Sequence, residues 1–166
     1  MLIKYNEFLN TSDMDYINNI AMSKGWIWGH SSAENNPNYF WRYDDLETDK
    51  FFNEYLFNKI KELTNDELIL ERVYLNGHTA CSQGTPHQDS KDPNGRTFLV
   101  YCNDVWKSEF GGGTAFVADD EVATVAFKPK AAIYFQNNIF HHATPLSKNF
   151  KGLRVTLAFK MRLANV

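Results

Sequence analysis

From about residue 68 onward, the sequence consists of short runs rich in β-branched and aromatic residues, with polar or glycine-rich turns between them. The runs are LILERVYL, TFLVYC, TAFVA, EVATVAF, AAIYFQ and LRVTLAFKM. No segment with helical periodicity separates these runs, so the strands must pair through short connections. This pattern favours an antiparallel sandwich or barrel over a parallel sheet.

The part of the chain before residue 68 shows helical periodicity instead. An apolar stripe follows a cap-like Ser12 and predicts a first helix near residues 12 to 24, with Gly25 placed to end it. A second stripe between Phe52 and Leu63 predicts a second helix, which Asn65-Asp66 breaks. The aromatic-rich insert between them, residues 26–43 with the loop SSAENNPN, is interpreted as part of the core cover, with a flap over a site as the alternative.

These two halves predict a mainly β protein with N-terminal helices. A chain of 166 residues is long enough for one hydrophobic core and short for two. We therefore expect a single domain over residues 1–166, with a helical part at 1–67 and a jelly-roll core at 68–162. The expected architecture is a double-stranded β-helix, or jelly roll, whose outer sheet is covered by the two helices.

Charge and composition exclude several classes of function. Lys and Arg number 17 against 20 for Asp and Glu, a net charge of −3, so a dedicated binder of duplex nucleic acid is not expected. The first residues turn polar too soon for a signal peptide, and no apolar run is long enough to span a membrane. With only two cysteines there is no disulfide framework. We expect a cytoplasmic protein.

The sequence His87-Gln88-Asp89 places an imidazole and a carboxylate two residues apart, which on an extended backbone puts both on one face. The segment NNIFHHATP then follows a predicted strand and offers a further histidine, His141 or His142. Neighbouring residues on a strand face opposite ways, so only one of these two reaches an ion. Two histidines and one carboxylate form the facial triad of non-haem Fe(II) oxygenases, although the same set also suits zinc. A histidine pair without a metal is the alternative.

A third candidate element is the strand LRVTLAFKM, whose period of two puts Arg154 and Thr156 on one face. An arginine that faces a barrel interior requires an anion, and its planar guanidinium suits a carboxylate, with the threonine hydroxyl as a further donor. The alternative is an edge strand with Arg154 in water.

Together these segments resemble the Fe(II)/2-oxoglutarate-dependent dioxygenases, in particular the prolyl 4-hydroxylase-like branch. The resemblance covers roughly residues 70 to 161 and rests on HQD, FHHATPL, the downstream arginine, RTFLVYCNDVW and GGGTAF, in that family's order and spacing. It implies that His87, Asp89 and His141 bind Fe(II), and that His141 is preferred because it stands four residues before Pro145. It also implies that Arg154, Tyr101 and Thr156 hold 2-oxoglutarate, with ascorbate as a further cofactor.

The resemblance further implies a reaction in which dioxygen and 2-oxoglutarate are consumed and a bound substrate is hydroxylated. We expect a peptide or protein substrate, most specifically a peptidyl proline, which the segment from Thr97 to Trp106 favours. The aromatic rings of the insert suit the faces of a proline, and Arg96 is placed to orient a peptide carbonyl. An oxygenase of nucleobases or small metabolites and a non-catalytic metal-binding jelly roll are the alternatives. One departure bears on the substrate: Gly84 stands where that family often has a tyrosine.

Overall fold

The structure is a computed structural model that describes residues 1–32, 38–118 and 121–164, and this part of the chain contains ten strands and two α-helices. The strands are β1 (Leu2–Tyr5), β2 (Ile27–His30), β3 (Phe40–Tyr43), β4 (Leu68–His78), β5 (Gly95–Tyr101), β6 (Thr114–Ala118), β7 (Glu121–Val125), β8 (Ala132–Gln136), β9 (Phe140–Ala143) and β10 (Arg154–Leu163). The helices are α1 (Thr11–Ala21) and α2 (Phe57–Thr64), and a π-helical segment, Phe51–Leu56, leads into α2. Short 3-10 turns lie at Leu46–Thr48 and Ser108–Phe110.

Two antiparallel sheets build the fold. The larger sheet has the order β1-β8-β5-β10-β4-β3-β2, and the smaller has the order β7-β6-β9. The rings of Phe116 in the small sheet and Phe135 in the large sheet lie 5.1 Å apart, so the two sheets pack face to face. This arrangement is the predicted jelly roll.

The central strand β10 divides the molecule into a core and a cavity. Val155, Leu157 and Phe159 are buried on the face that packs against the helices, in a cluster that includes Met14 of α1 and Ile60 of α2. The alternate residues of β10, from Arg154 to Lys160, point between the sheets and line a cavity. The two predicted helices therefore cover the outer face of the large sheet, as expected, and the inner face is left for the site.

The helices differ in their ends from the prediction. Asn10, not Ser12, caps α1: its side chain accepts from the Asp13 amide at 2.8 Å, and the Asp13 carboxylate accepts from the Asn10 amide at 3.0 Å. The helix ends at Ala21, before Gly25. The second helix ends where predicted, at Asn65 with φ of 54°. Among the described residues no helix is both long and apolar enough to cross a membrane.

All six runs predicted as strands are strands, namely β4, β5, β6, β7, β8 and β10. The part at 1–67 is not only helical, because it supplies β1, β2 and β3 to the large sheet. These strands are four residues long, and β1 and β2 are mostly exposed, so they lack the apolar alternation that reveals a strand. The loop SSAENNPN lies for the most part, at 33–37, outside the described residues.

The capping box of α1 supports a first prediction. Asn10→Ala removes the acceptor for the Asp13 amide and should lower the free energy of unfolding by about 1 kcal/mol. Urea unfolding measures this change. The control is Asn19→Ala, since Asn19 is an exposed residue within the same helix and its replacement should raise stability by about 0.5 kcal/mol. Equal effects of the two substitutions would contradict the assignment of the cap.

Candidate metal centre

The structure brings His87, Asp89 and His141 together at one end of the cavity, and one ligand atom from each lies within 4.8 Å of the others. His87 and Asp89 belong to the loop between β4 and β5, while His141 lies on β9. Two backbone hydrogen bonds join His87 to His141, at 3.1 and 2.9 Å, and the Asp89 amide donates to the Asn137 carbonyl at 2.9 Å. Main-chain pairing thus fixes the loop against β9 and holds the three side chains in place.

The two imidazoles point their Nε2 atoms at the same carboxylate. Nδ1 of His87 lies 2.8 Å from the Thr85 carbonyl, and Nδ1 of His141 lies 2.9 Å from the Ile139 carbonyl. A carbonyl only accepts, so each Nδ1 carries the proton and in the neutral ring Nε2 presents a lone pair. These Nε2 atoms lie 3.5 and 3.6 Å from the Asp89 oxygens.

The pKa of His141 is lowered to about 4, mainly because the ring is buried. The Asp89 charge raises this pKa by less than burial lowers it, and the Lys160 charge lowers it further. His141 is therefore neutral at pH 7. A lone pair that faces a carboxylate is favourable only with a cation between them, so this donor set fits a divalent metal ion. One carboxylate and two imidazoles on one side leave further coordination positions open, as in the facial triad.

Asp89 is held from its other side by Lys160, whose ammonium pairs with Oδ2 of Asp89. Thr97 donates to the same oxygen at 2.8 Å and accepts from Lys160 at 3.0 Å. Although burial alone would raise the pKa of Asp89, the Lys160 charge holds it well below its ordinary value. The carboxylate is therefore ionised and oriented without a metal. The sequence reasoning did not select Lys160 or Thr97.

His142 is not part of this cluster. It is half-buried, and its Nδ1 lies 3.1 Å from the Ala143 carbonyl. Neighbouring residues on β9 point to opposite sides, and His141 is the one that faces Asp89. Of the two neighbouring histidines, His141 therefore lies with His87 and Asp89, and its role as a metal ligand stays a prediction.

The floor of the cavity is a ladder of directly opposed residues from two strands. The cavity has a volume of about 270 Å³. Along the floor, alternate residues of β10 face alternate residues of β4, and Ala158 in the middle leaves room above it. The opposed pairs are Arg154 with His78, Thr156 with Asn76, Ala158 with Tyr74, and Lys160 with Arg72.

Arg154 lies at the far end of this floor from Lys160. It is 2% exposed, yet no described carboxylate pairs with it. Its Nε donates to the Gly112 carbonyl at 2.5 Å and its Nη2 to the Gly113 carbonyl at 3.4 Å. Burial lowers the pKa of Arg154 to about 10, so it remains charged at neutral pH. A buried cation without a counter-ion fits an anionic ligand in the cavity.

Of the other two residues predicted to hold a cosubstrate, Thr156 lines the cavity and Tyr101 does not. The Tyr101 hydroxyl is within 2.9 Å of the Thr114 hydroxyl, and Thr114 itself forms part of the cavity wall. The structure therefore places Tyr101 one layer behind the wall. Contact between Tyr101 and a cosubstrate stays a prediction.

Two histidines without an assigned role in the sequence also line the cavity. His78 stacks on Phe40 with ring centroids 4.7 Å apart, and its Nδ1 lies 3.5 Å from Nη1 of Arg154. Burial, and then the Arg154 charge, lowers the pKa of His78 to about 3. Burial and the Arg42 charge also lower the pKa of His30. Both rings are therefore neutral, and each lies beside an arginine. The sequence gives no sign of this, because each histidine stands alone in it.

The departure at Gly84 has a steric cause. The Gly84 amide donates to the Ala143 carbonyl at 2.9 Å, and a Cβ at Gly84 would lie 2.6 Å from the Ala143 amide nitrogen. A tyrosine does not fit this close approach to β9. The substrate side of the cavity therefore lacks a tyrosine contributed from this position.

The residues expected to contact a proline are placed elsewhere. Trp26, Trp28, Tyr39 and Trp41 do not line the cavity, whereas their neighbours Phe40 and Arg42 do. Trp28 and Trp41 pair across β2 and β3 with ring centroids 5.2 Å apart. Trp26 packs against the hydrophobic core, as the core-cover interpretation predicts.

The expectation for Arg96 is wrong for this structure. Arg96 is buried and donates to the carbonyls of Pro93 and Gly95, at 2.7 and 2.9 Å. Its guanidinium thus holds its own loop and is not presented to a peptide. Both of these hydrogen bonds come from Nη1, and the buried Nε of Arg96 has no partner among the described residues.

Comparisons with known proteins give matches in structure only. No protein-family model matches the sequence, and no curated protein matches it. One similar solved structure is a prolyl hydroxylase from Trichoplax adhaerens, in complex with a peptide fragment of the hypoxia inducible factor oxygen degradation domain. Its TM-score is 0.77 at 15% identity, and the match covers 97% of this chain and 83% of that chain. An oxidoreductase of the 2OG-Fe(II) oxygenase family from Burkholderia pseudomallei has a TM-score of 0.76 at 7% identity, covering 97% and 84%.

A third solved structure contains bound ligands. HygX from Streptomyces hygroscopicus, with nickel, 2-oxoglutarate and hygromycin B bound, has a TM-score of 0.73 at 12% identity, covering 99% of this chain and 83% of that chain. The chain therefore has the fold of 2-oxoglutarate-dependent Fe(II) oxygenases, as the resemblance implies. At these identities the likeness concerns the fold.

The selection of His141 over His142 yields a second prediction. His141→Ala should weaken Mn(II) binding by more than the roughly hundredfold that loss of an outer hydrogen-bond partner costs, because a ligand itself is removed. His87→Ala and Asp89→Ala should do the same. His142→Ala is the matched control and should retain substantial binding in calorimetric titration. Full loss of binding in His142→Ala, with normal binding in His141→Ala, would reverse the assignment.

A third prediction concerns His78 and pH. Its pKa is near 6.5 in the unfolded chain and about 3 in the fold. Between these values the unfolded state binds more protons, so the stabilising contribution of the neutral ring is complete above pH 6.5 and is lost as the pH falls toward 3. The gap in unfolding free energy between the wild type and His78→Gln should therefore narrow by about 2 kcal/mol from pH 6 to pH 4. A gap that does not change with pH, measured by urea unfolding, would contradict this.

Proposed function

We propose that this protein is an Fe(II)- and 2-oxoglutarate-dependent dioxygenase that hydroxylates a substrate. The observation that carries the proposal is one cavity with two complementary binding sets. At one end His87, Asp89 and His141 suit a divalent metal, and at the other end Arg154 is a buried cation without a described counter-ion. A metal-chelating dicarboxylate satisfies both ends at once.

In this proposal the chain supplies geometry and charge. His87, Asp89 and His141 would hold iron, while Arg154 and Thr156 would bind the carboxylate of 2-oxoglutarate that is farther from the metal. When bound, iron and 2-oxoglutarate supply the activation of dioxygen, with succinate and carbon dioxide as the products of the cosubstrate. Thr97 and Lys160 keep Asp89 ionised and oriented, and Tyr101 supports Thr114 in the wall.

Two apolar residues, Leu99 and Phe135, complete the inner wall between these ends. They limit the water that reaches the reacting atoms. No side chain is needed as a general base, and the neutral His141 keeps its Nε2 lone pair for a metal ion. Ascorbate as a further cofactor stays a prediction.

As the substrate we propose a peptidyl proline. The support is the structural likeness to a prolyl hydroxylase that was solved in complex with a peptide fragment. A proline in an extended peptide has a fixed φ and no amide donor, so it enters an open groove at little cost in entropy. An alternative is a small metabolite, which is favoured by the limited cavity of about 270 Å³ and by the absence of the four insert aromatics from its lining.

The class of reaction is tested by the formation of succinate from 2-oxoglutarate with Fe(II) in air. We expect succinate to form with Fe(II) and not with Zn(II), and Asp89→Ala to abolish it. Proline-rich peptides, free amino acids and methylated single-stranded oligonucleotides are compared as substrates by the gain of one oxygen atom in mass. Stimulation by oligonucleotides or metabolites alone would remove the prolyl assignment, and no succinate under any condition would favour a non-catalytic metal-binding protein.

A fourth prediction separates the cosubstrate from the metal. Arg154→Ala removes a charge-assisted bidentate contact worth about 1.5 to 3 kcal/mol, so the concentration of 2-oxoglutarate required should rise about tenfold to hundredfold. Binding of Mn(II) should stay near normal, because Arg154 is at the other end of the floor. Arg154→Lys should retain part of the affinity. An unchanged requirement for 2-oxoglutarate in Arg154→Ala would show that Arg154 does not hold it.

A further inference from the structure

The cavity wall carries more positive charge than the proposed reaction uses. Iron(II) and the 2-oxoglutarate dianion cancel each other's charge, so binding both leaves the balance of the wall unchanged. The chain as a whole has a net charge of −3, so the positive excess is local to the cavity. Asp89 is the one carboxylate among the described lining residues, whereas the cationic lining residues are Arg42, Arg72, Arg154 and Lys160.

Two of these four cations have partners in the proposed reaction, and Arg42 and Arg72 do not. Arg42 is partly compensated, since its Nε lies 2.5 Å from Oδ1 of Asp44 and its Nη1 lies 3.0 Å from Nε2 of the neutral His30. Its Nη2 makes no hydrogen bond within the described residues. Arg72 forms no ion pair with a carboxylate in the described part of the chain. The Nη2 group of Arg42 and the guanidinium of Arg72 therefore remain as donors for a ligand.

The position of Arg72 adds positive charge beside the metal end of the cavity. It lies directly opposite Lys160 across β4 and β10, and like charges in opposed positions destabilise a sheet. Asp89 compensates Lys160 and leaves Arg72 uncompensated. The Arg72 guanidinium is exposed and has no described carboxylate partner, so it is free to bind an anion that enters the cavity.

Arg42 and Arg72 converge on one aromatic ring. The guanidinium carbon of Arg42 lies 4.1 Å from the centroid of Tyr74, and that of Arg72 lies 5.8 Å from the same centroid. Stacking on a ring fixes the plane of a guanidinium and leaves its edge free to donate. Asn76, directly opposite Arg42, adds a buried Oδ1 that has no hydrogen-bond partner among the described residues. A ligand with an N–H beside its anionic group would meet both needs.

We propose that Arg72 and Arg42 form a subsite for a carboxylate of the substrate, which rests on the proposed function and specifies the substrate class. The flat, forked donor pattern of arginine matches a carboxylate in a bidentate contact. The carboxylate comes either from an acidic side chain next to the reacting residue of a peptide or from the α-carboxylate of a small molecule. In both cases the N–H donor for Asn76 is the nitrogen of the same amino-acid unit.

The test uses two matched pairs of probes that differ only in charge. The peptide pair is acetyl-Glu-Pro-Glu-amide and acetyl-Gln-Pro-Gln-amide, and the small-molecule pair is L-proline and L-prolinamide. Each probe is titrated calorimetrically into the protein loaded with Fe(II) and 2-oxoglutarate under exclusion of dioxygen, so that no turnover occurs. In at least one pair the acidic member should bind about tenfold tighter or more, as a charge-assisted contact predicts.

Variants assign this preference to the subsite. In Arg72→Gln the preference should fall to about twofold or less, and in Arg72→Lys a reduced preference should remain. The matched control is Arg162→Gln, because Arg162 is an exposed arginine that pairs with Glu71 and does not line the cavity, and this variant should keep the full preference. Because Arg72 is exposed, its replacement leaves the core intact.

A preference in the peptide pair identifies an acidic side chain as the source of the carboxylate, and one in the proline pair identifies an α-carboxylate. Equal binding within both pairs, no binding of either acidic probe, or an unchanged preference in Arg72→Gln overturns the subsite. Succinate formation in air is measured on the same preparations, so a failure of the dioxygenase proposal is seen separately from a failure of the subsite.

Discussion

The alternation of side chains along β10 is the constraint on which the rest of the structure depends. The strand lies between β4 and β5 at the centre of the large sheet, so each of its faces is covered by protein. One face needs apolar residues for the helices, and Leu157 and Phe159 meet that need. The other face carries Arg154 and Lys160 into the cavity. A shift of one residue would exchange these faces and remove both the core and the site.

The two ends of this inner face differ in their charge balance. At one end Lys160 compensates Asp89, and at the other Arg154 has two backbone carbonyls and the neutral His78 ring as described hydrogen-bond partners, and no carboxylate. The metal end is thus balanced within the protein, while the opposite end is prepared for an anion. Neutral histidines complete the arrangement, because burial keeps His78 and His141 uncharged near the cations. The cavity is organised by fixed charges before any ligand enters it.

The sequence was sufficient for the parts of the site that follow from local spacing. The interval from His87 to Asp89 and the period of two at Arg154 are readable without a fold. The same period includes Lys160, but a lysine near the end of a strand is most often exposed, so the pattern did not single it out. Arg72 was out of reach because its position opposite Lys160 depends on the register of two strands more than eighty residues apart in the sequence. The exposed edge strands in residues 1–67 were missed because they lack apolar alternation.

The central position of β10 also has a consequence for synthesis of the chain. β10 follows β4 and β5 in the chain, yet it separates them in the sheet and supplies hydrogen bonds to both. Until it leaves the ribosome, both neighbours present unpaired edges, which are templates for pairing with other chains. The nascent polypeptide therefore carries these unpaired edges until β10 has been made, and its folding must wait for contacts between distant segments.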